Sequence, residues 1–140
     1  MKQYLELLKT MPLFFGIKES KDLEWVLKCV DGNVKNYRAG ETITEEGEDV
    51  YFTGMVLSGI AQNIYKDNVV LTDIGELFPF CFEEDKSIQS DAKIVAKTDC
   101  SILWMRWIRL KRVCNFNCEF HKKLIENLNQ LTPCPKEQAE

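Results

Sequence analysis

Glycines placed between short β-prone runs are the feature that most constrains the fold of this chain. Gly40, Gly47, Gly59 and Gly75 separate segments rich in Ile, Val, Tyr, Phe and Thr. Several short strands with a glycine turn between each pair are typical of an antiparallel sandwich or roll rather than a parallel sheet. Glycine suits such turns because it adopts positive φ angles without steric cost. The spacing therefore predicts a mainly β fold.

Helical patterns flank the predicted strands. Apolar residues at helical spacing predict helices over residues 3–9, 20–30, 107–113 and 117–131, with Ser20 as the cap of the second one. Runs of β-prone residues predict strands over residues 34–37, 42–44, 50–58, 60–66, 69–74, 92–96 and 101–105. At 140 residues, the chain is expected to form one domain.

Four segments form a series that points to one family. They read AGETI at 39–43, EGE at 46–48, VLSG at 56–59 and IGELF at 74–78. The series resembles that of the cyclic-nucleotide-binding, cupin-like β-roll of the Crp/Fnr transcription regulators, over about residues 13–131. The resemblance implies a double-stranded β-helix, or jelly roll, with N-terminal helices and a long C-terminal dimerisation helix. It divides the chain into a sensor domain at 1–116, the helix at 117–132 and a tail at 133–140.

Charge and hydropathy limit the classes of partner. The formal net charge of −4 argues against direct wrapping of nucleic acid, which requires a basic face. No signal peptide and no apolar run of about 20 residues is found, so we expect no membrane partner and a cytoplasmic location. In that compartment the six cysteines are expected to be reduced thiols.

The resembled family holds a cyclic phosphate with a second Gly-Glu pair and an arginine before the alanine of the next strand. Here Pro79-Phe80 takes the place of the Gly-Glu pair, and Ser90-Asp91 precedes Ala92. A proline removes a backbone donor, and no guanidinium is available for the phosphate. We therefore expect that a cyclic nucleotide does not bind.

An aromatic surface is left where the resembled family has its phosphate-binding residues, which we call the phosphate cassette. One interpretation is a pocket for a small apolar or aromatic effector, and the other is that these side chains simply fill the roll. The sequence leaves both open. The candidate pocket residues are Tyr51, Phe52, Gly75, Glu76, Phe78, Phe80, Phe82 and Ala92.

Cys114, Cys118 and His121 have the i, i+4, i+7 spacing that would place them on one helix face, where they could hold a soft metal. A helix break at residues 115–117 would remove that spacing, so these three are only weak candidates and no cofactor is predicted. An enzyme of cupin type would need several histidines, and the sequence has one. We expect no enzyme.

The predicted C-terminal helix has a 4-3-4-3 spacing of residues typical of a coiled-coil seam. The resemblance implies a homodimer through this helix, and the alternative is a helix packed on its own roll. The proposed dimer residues are Phe120, Leu124, Leu128 and Leu131.

The sequence therefore predicts an effector-sensing domain of a Crp/Fnr-like transcription regulator that responds to a small molecule other than a cyclic nucleotide. DNA would be contacted only through a helix-turn-helix domain, which we do not find in these 140 residues. The competing function is a ligand-free dimerisation or interaction module with a degenerate version of the same fold.

Overall fold

The computed structural model describes residues 2–78, 87–112 and 119–131. Short 3-10 turns at Lys2–Tyr4 and Pro12–Phe14 accompany four helices: α1 (Leu5–Lys9), α2 (Ser20–Cys29), α3 (Trp107–Lys111) and α4 (Glu119–Leu131). The strands are β1 (Asn33–Tyr37), β2 (Thr42–Thr44), β3 (Asp49–Val50), β4 (Phe52–Ser58), β5 (Ala61–Ile64), β6 (Val69–Thr72), β7 (Ile88–Gln89), β8 (Lys93–Ala96) and β9 (Cys100–Arg106).

All strand pairs in the described residues are antiparallel. One sheet has the order β1-β9-β4, a second has the order β2-β8-β5-β6, and β3 pairs with β7. Strands that are neighbours in a sheet, such as β2 and β8, are far apart along the chain, so the two larger sheets face each other across a roll instead of forming a simple meander. This is the jelly-roll type of arrangement that the glycine spacing predicts.

The β1-β9-β4 sheet separates two hydrophobic cores. Along β9, Leu103 and Met105 belong to the core shared with the helices, whereas Ile102 belongs to the core between the sheets. Successive side chains of a strand point to opposite faces, so one strand supplies both cores. We call them the helix-side core and the roll-side core.

Three glycine turns share one four-residue construction, at 38–41, 45–48 and 73–76. The third residue is Gly40, Gly47 or Gly75, with φ of 91°, 83° and 85°. The fourth residue is a glutamate, whose backbone N–H donates to the first residue's carbonyl at 2.9, 3.1 and 3.0 Å. Its Oε1 accepts from the first residue's N–H at 2.8, 3.1 and 2.8 Å. Each Gly-Glu pair therefore closes its own turn with two reciprocal hydrogen bonds.

The predicted strands agree closely with the structure, with two differences. The run at 50–58 is divided into β3 and β4 at Tyr51, and the sequence does not predict β7, which is only two residues long. The predicted cap Ser20 is instead the first residue of α2, and Glu19 occupies the cap position without a side-chain hydrogen bond. None of the helices in the described ranges is long and apolar enough to cross a membrane.

Helix α4 packs on its own chain. Leu124 and Leu128 are fully buried in the helix-side core, and Phe120 packs against that core while partly exposed. Asn127 Nδ2 donates to the carbonyl oxygens of Leu13 and Phe15, both at 2.9 Å, and so ties α4 to the second 3-10 turn.

The expectation that the leucines of α4 form a seam open to a second copy is therefore wrong for Leu124 and Leu128. Their spacing reflects an amphipathic helix that buries one face within its own domain. Leu131, at the helix end, is 39% exposed. Homodimerisation stays a prediction, but these two buried leucines do not provide the contact.

Candidate ligand-binding cleft

A cleft of about 270 Å³ opens between the β1-β9-β4 sheet and the segment that carries β2 and β3. The sheet side supplies polar and aromatic groups, and the opposite side supplies two aliphatic side chains, a threonine and a glutamate. The lining residues are Asn33, Lys35, Tyr37, Ile43, Thr44, Glu48, Val50, Phe52 and Trp104.

The alternation of β1 explains why three of its side chains share the cleft. Asn33, Lys35 and Tyr37 are two residues apart and so lie on one face of the strand. Asn33 is directly opposite Trp104 in the β1-β9 register, and residues paired in this way have side chains on the same side of the sheet. The polar wall of the cleft is thus a direct result of strand period and register.

Tyr37 and Trp104 form a hydrogen-bonded pair within the cleft. The indole Nε1–H of Trp104 donates to the Tyr37 hydroxyl oxygen at 3.1 Å. Burial raises the pKa of the Tyr37 hydroxyl, the Trp104 hydrogen bond opposes this, and the carboxylates of Glu41 and Glu48 raise the pKa further. The hydroxyl is therefore held in its neutral form, in which it carries a proton to donate.

Phe78 fills the roll beside the cleft. Residues 75–78 run along β4, with Gly75 N–H bonded to Val56 O at 2.8 Å and Phe78 N–H bonded to Gly54 O at 3.0 Å. The Phe78 ring is 1% exposed and lies directly over Gly54, where any Cβ would overlap it. Its centroid is 5.5 Å from that of Trp104, at an interplanar angle of 45°. Phe78 thus supports the Trp104 ring and is itself part of the roll-side core.

Of the predicted pocket residues that the structure describes, only Phe52 lines the cleft. Tyr51 is 55% exposed, one residue along the chain from Phe52, and Ala92 is buried elsewhere. Gly75 and Glu76 form one of the closed turns described above, so the glutamate is used structurally. Phe80 and Phe82 lie outside the described residues.

The position at which the resembled family needs an arginine carries no cation. The Ser90 hydroxyl is buried and donates to Ala92 O at 2.7 Å, which keeps it within its own turn. Asp91 is exposed to solvent. The described part of the phosphate cassette therefore offers a carboxylate in place of a guanidinium.

The metal hypothesis can be followed at only one of its three residues, because Cys114 and Cys118 lie outside the described ranges. His121 is buried, with Nε2 3.4 Å from Leu110 O, and its Nδ1 has no hydrogen-bond partner among the described residues. Within residues 2–78, 87–112 and 119–131, no three His, Cys, Asp or Glu residues come together as metal ligands.

Most of the cleft was missed in the sequence. The strongest sequence signal for the cleft is the spacing of Asn33, Lys35 and Tyr37, which are two residues apart in β1. They give one face of the strand a mixture of polar, charged and aromatic side chains. Trp104 gave no such signal, because its place in the cleft depends on the pairing of β9 with both β1 and β4.

Comparison with solved structures places this fold among cyclic-nucleotide-binding domains, whereas no family model and no curated protein matches the sequence. A cyclic nucleotide-binding domain from Methylobacillus flagellatus KT gives a TM-score of 0.73 at 14% identity, covering 93% of this chain and 76% of that one. The Thermus thermophilus catabolite activator protein gives 0.67 at 20% identity, covering 91% and 59%. The C-linker/CNBHD of zELK channels, crystallised in the presence of cAMP, gives 0.62 at 17% identity, covering 89% and 63%.

These similarities support the predicted jelly roll of the cyclic-nucleotide-binding type. In two of the three comparisons, the chain spans less than two thirds of the matched chain, at 63% and 59%. The level of sequence identity, 14–20%, establishes the fold and leaves the ligand to be argued from the cleft itself.

Proposed function

We propose that this chain is the effector-sensing domain of a Crp/Fnr-like transcription regulator and that its effector is a small aromatic molecule rather than a cyclic nucleotide. The observation that carries the proposal is the cleft of about 270 Å³ with Trp104, Phe52 and Tyr37 in its walls. Aromatic and aliphatic walls with a few fixed polar groups are typical of small-molecule sites. The catabolite activator protein, which shares the fold, supports the assignment to a regulator.

The electrostatics of the site argue against a cyclic nucleotide. Among the residues found to line the cleft, the cation is the exposed lysine Lys35 and not an arginine, and Glu48 adds a carboxylate. Asp91 stands where the family pattern has an arginine. A cyclic phosphate would therefore meet negative charge without the bidentate partner that holds such groups.

Strand β9 provides a route from the cleft to the helices. Trp104 lines the cleft, while its neighbours Leu103 and Met105 are buried in the helix-side core with Leu124 and Leu128 of α4. A ligand that favours one position of Trp104 would bias the packing of β9 against the helices. In the proposed regulator, α4 passes this change to a helix-turn-helix domain, which makes the DNA contacts.

A thermal-shift screen tests the proposal, because a ligand that binds only the folded state raises the unfolding midpoint. The panel contains cyclic AMP, cyclic GMP and single-ring aromatic compounds, and Trp104→Leu serves as the matched cleft variant. We expect a shift with an aromatic compound that Trp104→Leu reduces, and none with the nucleotides. A nucleotide-specific shift would refute the choice of effector.

The alternative is a ligand-free interaction module, and the burial of Phe78 in the roll is the observation that favours it. The absence of a thermal shift with every compound of the panel, together with a dimer in sedimentation equilibrium, would support that function. A monomer at the same concentrations would argue against both the module and the homodimer that we propose for the regulator.

A further inference from the structure

Among the described residues, the Tyr37 hydroxyl accepts a hydrogen bond and donates none. Its oxygen accepts the bond from Trp104 Nε1 at 3.1 Å, so the indole occupies one of the oxygen's acceptor positions. A phenolic hydroxyl can still donate its own proton when its oxygen accepts a bond. Within the described ranges, no protein group accepts that proton. The bond from the indole also restricts the directions in which the hydroxyl proton can point.

Two carboxylates act on this donor. Glu41 and Glu48 both act on the Tyr37 hydroxyl, and Glu48 also lines the cleft. Glu41 and Glu48 are each held in place by a hydrogen bond from a turn N–H, at 2.8 and 3.1 Å. Two fixed carboxylates oppose an anion placed beside Tyr37. Lys35 also lines the cleft, but its side chain is exposed to solvent, where its charge is screened more than a buried charge would be.

We infer that the cleft, if it is the effector site proposed above, selects an uncharged aromatic molecule whose carbonyl oxygen accepts a hydrogen bond from Tyr37. The ring of such a ligand would contact Trp104, Phe52 and Val50, which are three of the apolar residues of the lining. Repulsion from the carboxylates of Glu41 and Glu48 would weaken the binding of an anion. A cation would present a donor where the protein already supplies one.

Three nearly isosteric ligands separate these possibilities by charge: benzamide is neutral, benzoate is negative and benzamidinium is positive. Their binding is followed in NMR titrations of the complete chain. We expect benzamide to bind most tightly. Tyr37→Phe should weaken benzamide binding roughly fivefold to tenfold, the equivalent of one hydrogen bond between neutral groups.

A second pair of ligands tests the hydrogen bond without changing the protein. Acetophenone and α-methylstyrene have nearly the same shape, but only the first has a carbonyl acceptor. Wild-type protein should prefer acetophenone, and Tyr37→Phe should bind the two about equally. This pair remains informative if Tyr37→Phe lowers the stability of the fold.

The outcomes distinguish this inference from the proposed function. Tightest binding of benzoate would show that Lys35 determines the specificity and would overturn the inference, while the aromatic effector site would stand. Equal binding of acetophenone and α-methylstyrene by wild-type protein would also overturn it. Failure of every aromatic ligand to bind would instead refute the proposed effector site, and the inference with it.

Discussion

The two faces of the β1-β9-β4 sheet differ in how completely they are packed. Among the described residues, eighteen buried apolar residues form the helix-side core, against seven in the roll-side core. The roll side passes into the cleft beside Trp104. Within the described residues, the domain therefore buries most of its apolar side chains on one face of the sheet, and the cleft lies on the other face.

The largest expected effect comes from the helix-side core. Leu124→Ala removes a fully buried side chain of α4, and we expect a loss of about 2–5 kcal/mol in the free energy of unfolding, measured with urea. Leu131→Ala is the control on the same helix, and because Leu131 is partly exposed it should change stability by about 0.5 kcal/mol or less. Equal small effects would mean that α4 does not belong to this core.

Gly54→Ala tests the packing of the roll side. The added Cβ would overlap the Phe78 ring and lie 3.0 Å from Cγ2 of Ile102, so we expect a loss of about 1–3 kcal/mol from overpacking. The double variant with Phe78→Leu should recover part of this loss, because the smaller side chain leaves room. If Gly54→Ala melts at the wild-type temperature, the roll-side core is looser than its burial indicates.

The closed turns should contribute less than either core. Glu76→Ala removes the acceptor for the Asp73 N–H, and we expect a loss of about 0.5–1.5 kcal/mol in thermal or urea unfolding. Glu46→Ala is a suitable control. Glu46 is an exposed glutamate in the turn at 45–48, where it occupies the second position and not the fourth. If both variants lose the same amount of stability, the cause is the removal of a negative charge and not the loss of the hydrogen bond that closes the turn.

The smallest effect concerns alkaline pH and again belongs to the roll side. Burial raises the pKa of the Cys100 thiol and of the Tyr37 hydroxyl above their ordinary values. A group whose pKa is raised in the folded state contributes stability that is complete below its ordinary pKa and is lost as pH rises through the folded value. The thermal unfolding midpoint should therefore decrease as the pH is raised above the ordinary pKa of a thiol. In Cys100→Ala the midpoint should decrease less steeply with pH. A midpoint that does not change with alkaline pH would contradict the burial of both groups.

Much of the fold could be read from the sequence because its signals are local. Gly40, Gly47 and Gly75 mark turns that need a positive φ, and the strands between them have β-prone composition. The role of the following glutamates was not predicted, because a charged residue after a glycine looks like ordinary solvent-exposed surface. Their use became visible only from the hydrogen bonds that close each turn.

The site could not be read in the same way because it depends on non-local pairing. The aromatic residues near Gly75 were an obvious choice, but Phe78 is used to fill the space over Gly54. The cleft instead combines β1 with Trp104, which is 67 residues from Tyr37 along the chain. The leucine spacing in α4 was also ambiguous, because an intramolecular core and a dimer seam require the same periodicity.

The division of β9 between two cores limits where residues can be inserted into or deleted from this chain. Leu103 and Met105 belong to the helix-side core, and Ile102 belongs to the roll-side core. Inserting or deleting one residue in the middle of β9 would exchange the two sets of side chains, since a one-residue slip turns every following side chain to the opposite face. Both cores would be disrupted by the same event. Loops elsewhere can lengthen, but we expect insertions and deletions within β9 to be eliminated in descendants of this chain.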